Sequence, residues 1–176
     1  IPKYLEREAT TDDAEQYQTI FAEIEGAIAP PAAGLHFTKA LMMRLEIKGV
    51  EFAKVNLNIG LGSFRPVEVE DLTKHKMDSE HFSIQQDAAD IVNNAKNNKK
   101  KVLAVGSSVM RALESSVSAF GMLNADDSWT DKFIFPPYEP RIANCYLTNF
   151  HEPQSTLMML TSAYLDDHKL AMEVYN

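Results

Sequence analysis

Hydrophobic and polar positions along the chain change period several times, and each change marks an element. Thr10-Thr11-Asp12-Asp13 reads as a helix start, with Tyr17, Ile20 and Phe21 as its apolar stripe. Gly26 to Pro31 is a break. Thr38 caps a second helix, with Leu41, Met42 and Leu45 on one face and Gly49 at the stop. From Val50 to Ile59 the period becomes two. Ala53, Val55, Leu57 and Ile59 alternate with Lys54, Asn56 and Asn58, which predicts a strand running into Gly60-Leu61-Gly62. A polar segment holding His75 and Glu80 follows. Ser83 then opens an amphipathic helix carried by Ile84, Ala88, Ile91, Val92 and Ala95. Lys101 to Val105 is a short buried strand, Gly106 a turn, and Ser107 to Phe120 a helix stopped by Gly121. Asn124 to Thr130 reads as a surface loop. Phe133-Ile134-Phe135 and Ile142 to Leu147 read as two more strands, separated by Pro136-Pro137. A helix starts near Pro153 and another follows from Asp167. This alternation predicts an α/β fold, a mixed sheet flanked by helices.

Composition narrows the class. The chain has 176 residues, 45% of them hydrophobic, enough for a sizeable core. A net charge of −8 argues against a free-standing nucleic-acid-binding module, which needs clustered cations. The dense basic run, Lys96 to Lys101, reads as a solvated helix end. The single cysteine, Cys145, cannot form an intrachain disulfide and sits in an apolar run, so a reducing, cytoplasmic setting is expected. No apolar run reaches membrane-spanning length, and no signal peptide is read at Ile1. The chain opens at Ile1 and closes at Asn176 inside a helical pattern, so it is expected to be a piece of a longer protein.

Three stretches could carry chemistry. In VLAVGSSVMRALES, Gly106 permits a tight turn, and the free N–H groups at the following helix start can hold an anion. Val109, Met110, Leu113, Val117 and Phe120 form its core stripe. Ser107, Arg111, Glu114 and Ser118 line a polar one, readable either as a ligand face or as a surface ion pair. In NIGLGSFRPV, two glycines after a strand allow close backbone approach, but Arg65 stands where a dinucleotide fingerprint needs its third glycine. In LTNFHEPQSTLMML, Asn149 and His151 follow a strand and precede a helix, a position where α/β ligand sites gather. Pro153 fits the first helical position, and Ser155 and Thr156 fit the free helix amides or a ligand. His151 beside Phe150 repeats the pairing of His36 with Phe37 in APPAAGLHFT. No residues have zinc-ligand spacing, and no nucleophile elbow or P-loop occurs.

Taken together, several blocks in order resemble the S-adenosylmethionine:tRNA ribosyltransferase-isomerase family of queuosine biosynthesis. They are YQTIFA (Tyr17 to Ala22), APPAAGLHFT (Ala29 to Thr38), NIGLGSFRPV (Asn58 to Val67), MDSE (Met77 to Glu80), AVGSSVMRALES (Ala104 to Ser115), FIFPPYEPR (Phe133 to Arg141) and LTNFHEPQSTLMMLTSAY (Leu147 to Tyr164). The resemblance implies a two-domain enzyme, with a small β-barrel inserted near the N-terminal part of a larger α/β domain. Residues 1–176 then form most of the larger, catalytic domain, without the barrel or the chain ends, and the stretch from Ile1 to Glu8 looks like the exit from the insertion.

The implied reaction moves the ribosyl part of S-adenosylmethionine onto 7-aminomethyl-7-deazaguanine in a tRNA anticodon. It gives epoxyqueuosine and releases adenine and methionine. S-adenosylmethionine is the ribosyl donor, tRNA is the partner, and no metal or membrane is implied. A monomer is expected, and the fragment alone is expected to be inactive. A base must take the proton beside the sulfonium, and the resemblance puts His36 and His151 forward for proton transfer. Arg111 and the N–H groups after Gly106, in the stretch Gly106, Ser107 and Ser108 put forward for substrate binding, would hold the methionine carboxylate or a tRNA phosphate. Glu80 and Glu114 would accept hydrogen bonds from ribose or adenine, and Asn149, Ser155 and Thr156 would orient the substrate. The chain departs from the family pattern at Ala32, Asn58, Asp78, Ser107, Ser108, Pro137 and Glu152, which implies a divergent member. The alternative is a paralogue that binds a nucleoside or RNA without this transfer.

Overall fold

The computed structural model describes residue 1 and residues 5–175. Pro2, Lys3 and Tyr4, in the opening stretch read as the exit from an insertion, and Asn176 at the close lie outside the described residues. The elements are α1 (Asp13–Gln16), α2 (Lys39–Ile47), β1 (Val55–Leu57), β2 (Glu80–Ile84), α3 (Gln86–Asn97), β3 (Leu103–Val105), α4 (Ser107–Ser115), β4 (Asp126–Thr130), β5 (Cys145–Leu147), α5 (Thr156–Leu165) and α6 (His168–Tyr175). The α/β class holds, and the strands fall into two sheets. β1, β2 and β4 make an antiparallel sheet with β2 at its centre, while β3 and β5 pair in parallel.

β2 organises the core. Its inward residues alternate as Glu80, Phe82 and Ile84, all buried, while His81 and Ser83 face outward and are only partly covered. Phe82 and Ile84 join Met110 of α4 and Leu160 of α5 among the most deeply buried side chains. Ala88, Ala89 and Val92 of α3 close the same cluster. The expected helix start at Ser83 is therefore displaced: Gln85 caps α3, and the residues before it form the central strand. A glutamate on the inward face masks the period-two pattern that would have announced it.

Other expected elements shift as well. Asn124 to Thr130, expected as a loop, holds β4, whose register sets Phe82 opposite Ser128. Its sequence is polar because it is an edge strand with only Thr130 buried. The helix from Ser107 ends at Ser115, not Phe120. A turn over residues 118–121 folds the chain back, Val117 pairs with Leu123, and Phe120, expected in the core, is 93% exposed. Phe133 to Phe135 form no strand, although Ile134 is buried in the core. α1 is a single turn, closed by Asp13, whose carboxylate takes Arg7 at 2.6 and 2.7 Å and the Thr10 N–H at 2.8 Å. The Arg7 guanidinium and the Thr10 donors hold that carboxyl well below the usual carboxylate range. α2 is capped as expected, with Thr38 Oγ accepting from the Leu41 N–H at 3.1 Å. Its apolar face is not buried, however: Met42 and Leu45 are half-buried, while Leu41, Met43 and Ile47 are exposed.

Candidate functional site

Parallel strands carry their following turns to the same sheet end, and β3 and β5 do so here. The Gly106 N–H donates to the Leu147 carbonyl at 2.8 Å, so the turn into α4 and the connection into α5 leave side by side. Gly106 has φ of +101° and ψ of 149°, a conformation open mainly to glycine. No side chain caps α4, so its first amides, at Ser107 and Ser108, stay free to meet an anion. The turn Ala32–His36 packs against this corner. A Cβ added at Gly106 would lie 4.0 Å from the Ala33 Cβ.

On the other side, Gly60 to Arg65 folds into a tight turn over Leu61–Phe64. Backbone approach is close: a Cβ added at Gly62 would lie 2.6 Å from the Asp78 Cβ. Glu80 pins this turn. Its Oε1 accepts from the Gly60 N–H at 2.7 Å and the Ser63 hydroxyl at 2.8 Å, and its Oε2 takes Arg111 Nη1. Arg111 also donates from Nη1 to Ser63 at 3.3 Å and from Nε to the Lys132 carbonyl at 3.3 Å. Glu80 and Arg111 are only 2% and 3% exposed, so the pair is an internal one. The turn is tied onward to α5, where the Val67 N–H donates to the Gln154 carbonyl at 2.7 Å and Pro66 bridges Ser155.

The β5–α5 connection carries the second half of the site. His151 is half-buried, and its Nε2 lies 2.9 Å from the Thr148 hydroxyl. Burial pushes its imidazole below the ordinary histidine range, favouring the neutral ring. Its backbone N–H donates to the Tyr175 hydroxyl at 3.2 Å, and Phe150 meets the Tyr175 ring edge-on at 5.0 Å. The Tyr146 hydroxyl, raised to about 12 mainly by burial, lies among those of Thr148, Thr161 and Ser107. Among the described residues, four buried polar atoms lack a well-formed hydrogen bond: Arg111 Nη2, Tyr146 Oη, Asn149 Oδ1 and Thr156 Oγ1. Three of the four lie on β5, in the segment after it or at the first residue of α5. Such unsatisfied groups concentrate where a ligand or ordered water binds.

The expected residues therefore separate into groups. Gly106, Ser107 and Ser108 follow β3, Asn149 and His151 follow β5, the two strands pair in parallel, and Thr156 opens α5. Glu80 and Arg111 form a buried pair against the turn at residues 60–63. His36 is exposed, at the end of the turn beside Gly106, and no hydrogen bond or ring contact joins it to His151 among the described residues. Ser155 serves its own helix: its hydroxyl accepts from the Met158 N–H at 3.1 Å and donates to the Glu152 carbonyl at 2.7 Å. Glu114 is 1% exposed and turns away, accepting from the Tyr138 hydroxyl at 2.8 Å and the Ile142 N–H at 2.9 Å. The Arg141 N–H adds contacts at 3.0 and 3.1 Å. Ser63, Tyr146, Thr148 and Tyr175 are additions that the pattern of the chain did not single out. Ser63 and Thr148 lie inside blocks already quoted, but a lone hydroxyl carries no periodic signal.

Among the described residues, no group of histidine, cysteine, aspartate and glutamate could hold a metal ion, and no helix is long and apolar enough to cross a membrane. Two shallow hollows, of about 430 and 340 Å³, share none of the residues at the strand ends.

A family profile described as queuosine biosynthesis protein matches residues 1–176. An S-adenosylmethionine:tRNA ribosyltransferase-isomerase of Flavobacterium psychrophilum is 61% identical over 175 residues, 99% of this chain and 50% of that protein. One from Phocaeicola vulgatus is 53% identical over 176 residues, 100% of this chain and 50% of that protein. A crystal structure of an S-adenosylmethionine tRNA ribosyltransferase from Thermotoga maritima superposes with a TM-score of 0.61 at 30% identity, covering 81% of this chain and 44% of that one. The chain thus spans about half the length of the curated relatives it matches.

Proposed function

The chain belongs to the queuosine biosynthesis protein family, and from that premise we propose that its full-length protein is an S-adenosylmethionine:tRNA ribosyltransferase-isomerase. Its substrates are S-adenosylmethionine and a tRNA carrying 7-aminomethyl-7-deazaguanine, and its products are epoxyqueuosine in tRNA, adenine and methionine. The observation that carries this reading is the 61% identity to a relative of that name across 99% of the chain. Residues 1–176 supply most of the larger α/β domain, the enzyme acts as a cytoplasmic monomer, and the fragment alone does not turn over.

The geometry refines the roles. The α4 amides at Ser107 and Ser108 anchor the methionine carboxylate. Arg111 supports that corner from behind, since its Nη1 and Nε are committed to Glu80, Ser63 and Lys132. Asn149 and Thr156, each with a buried oxygen lacking a well-formed hydrogen bond, orient the substrate. His151 takes the proton beside the sulfonium, and His36 contacts the bound substrate from the Ala32–His36 turn.

The test uses the full-length protein with S-adenosylmethionine and tRNA bearing the 7-aminomethyl base. Mass spectrometry of the tRNA should show the epoxyqueuosine increment, with stoichiometric methionine. Binding of either substrate with no increment would favour the non-catalytic paralogue.

A further inference from the structure

Thr148 is the residue immediately after β5, and the Leu147–Gly106 hydrogen bond of 2.8 Å fixes the strand end that carries it. Its hydroxyl lies 2.9 Å from His151 Nε2. The His151 backbone is held separately, by the Tyr175 hydroxyl at 3.2 Å. The ring is therefore located from two sides, and among the described residues no hydrogen bond reaches its Nδ1.

We propose that Thr148 is a positioning residue that accepts the Nε2–H hydrogen bond of His151 and so leaves Nδ1 as the ring's free basic nitrogen. The inference rests on the transferase reading given above. The direction of the hydrogen bond follows from proton bookkeeping. If Thr148 donated to Nε2, the neutral ring would carry its proton on Nδ1 and have its one basic nitrogen engaged by that hydroxyl. If Thr148 accepts, the same contact survives when the ring becomes an imidazolium, which donates from both nitrogens. The arrangement then matches the general case of a base oriented by a third group. The Thr148 proton has takers nearby, because the Tyr146 oxygen lies next to it with no well-formed hydrogen bond of its own.

In the step this serves, the C–H bond beside the sulfonium breaks. Its electron pair stays on carbon next to the positive sulfur, and the proton goes to Nδ1. The pair on carbon is then drawn into the sugar as the C–N bond to adenine breaks; adenine leaves with that bond's electrons and takes the proton from the imidazolium, returning the ring to its starting state.

The test uses the full-length enzyme with Thr148→Val, which removes the hydroxyl but keeps the shape, and Thr148→Ser, which restores the hydroxyl. Thr148→Val should lower kcat for methionine release about tenfold or more, as loss of an orienting partner does. The KM for S-adenosylmethionine should stay within about twofold, as expected when no ground-state contact is lost, and Thr148→Ser should recover most of the rate. Nitrogen-15 chemical shifts of His151 in the wild type should show the tautomer protonated at Nε2. Wild-type rates in Thr148→Val, equal losses in both variants, or an Nδ1–H tautomer in the wild type would each overturn the proposal. If the wild-type enzyme releases no methionine, the transferase reading fails, and the tautomer measurement still decides the role of Thr148.

Discussion

Glu80 and Glu114 are both carboxylates in the core, 2% and 1% exposed, and they are satisfied by different means. Glu80 on β2 faces a full cation, Arg111, plus the Gly60 N–H and the Ser63 hydroxyl. Glu114 on α4 has, among the described residues, no cation on its oxygens and is held by the Tyr138 hydroxyl and the N–H groups of Arg141 and Ile142. Arg111 and Glu114 stand three residues apart on one helix, yet they take separate partners, Arg111 at Ser63, Glu80 and Lys132 and Glu114 at Tyr138, Arg141 and Ile142. The first arrangement ties β2, α4 and the turn at residues 60–63 together. The second seals a loop crossing. An ion pair in the interior is fixed by mutual need, since neither partner tolerates losing the other. A carboxylate bound by neutral donors loses its partners one at a time.

Arg111→Met should therefore have the largest effect, about 3–5 kcal/mol of destabilisation, because it leaves Glu80 buried beside two neutral donors. Glu80→Gln combined with Arg111→Met should recover much of that loss. Urea denaturation of the two proteins measures the difference, and the contrast collapses if the single variant is no worse than the double. Tyr138→Phe should cost less, about 1.5–3 kcal/mol, since one hydrogen bond to a charged oxygen goes and the others remain. An effect as large as that of Arg111→Met would mean that Glu114 is as finely balanced as Glu80. Removing the phenol oxygen also removes a group whose O–H is held protonated beyond the usual tyrosine range by burial and by Glu114.

A partly buried imidazole, His151, gives a pH-dependent counterpart. The folded-state pKa of His151 is depressed, so the unfolded chain binds the extra proton more readily. Its contribution to stability is full above the ordinary histidine value and is lost as pH falls below about 6.5. His151→Asn should flatten the fall in melting temperature between pH 7.5 and pH 5.5, whereas an unchanged slope would show that the ring is not desolvated. The smallest effect belongs to the exposed pair Arg65–Asp78, at 3.2 Å with both side chains about half or more in solvent. Arg65→Ala should cost within about 0.2–1 kcal/mol and less at high salt, and a larger loss would mean that exposed pairs here behave like the internal one.

How far the chain's pattern announces this architecture depends on what each signal measures. The turn and helix at Gly106 to Ser115 were legible because glycine, the serines and the Met110/Leu113 stripe all point to one local answer. The three extended segments Leu103–Val105, Cys145–Leu147 and Val55–Leu57 were legible as the cores of longer expected strands. β2 was not, because a periodic reading counts Glu80 as an outward residue when its cation lies 31 positions away on α4. β4 was not, because an edge strand has little to bury. For the site, the blocks around Gly106 and Asn149–Thr156 were legible as segments that follow strands, and those strands pair in parallel. The polar stripe of α4 was legible as a stripe, but its burial was not. The partners that make burial tolerable come from residues 60–63, 80, 132 and 138–142, and no local spacing encodes them.

The edge position of β4 has a consequence for how the molecule behaves in a crowded solution. A free strand edge offers backbone N–H and C=O groups to any passing chain, and repeated pairing of that kind seeds insoluble aggregates. β4 begins with two consecutive aspartates, Asp126 and Asp127, which in a strand point to opposite faces. Asp127 takes His81 Nε2 at 2.7 Å across the ladder, and Asp126 takes the Ser116 hydroxyl at 3.2 Å. A copy of this strand docking edge to edge in parallel register would set Asp126 against Asp126 and Asp127 against Asp127, like charges on both faces at once. The same polarity that hid β4 from a reading of the pattern is what keeps its open edge from recruiting a neighbour.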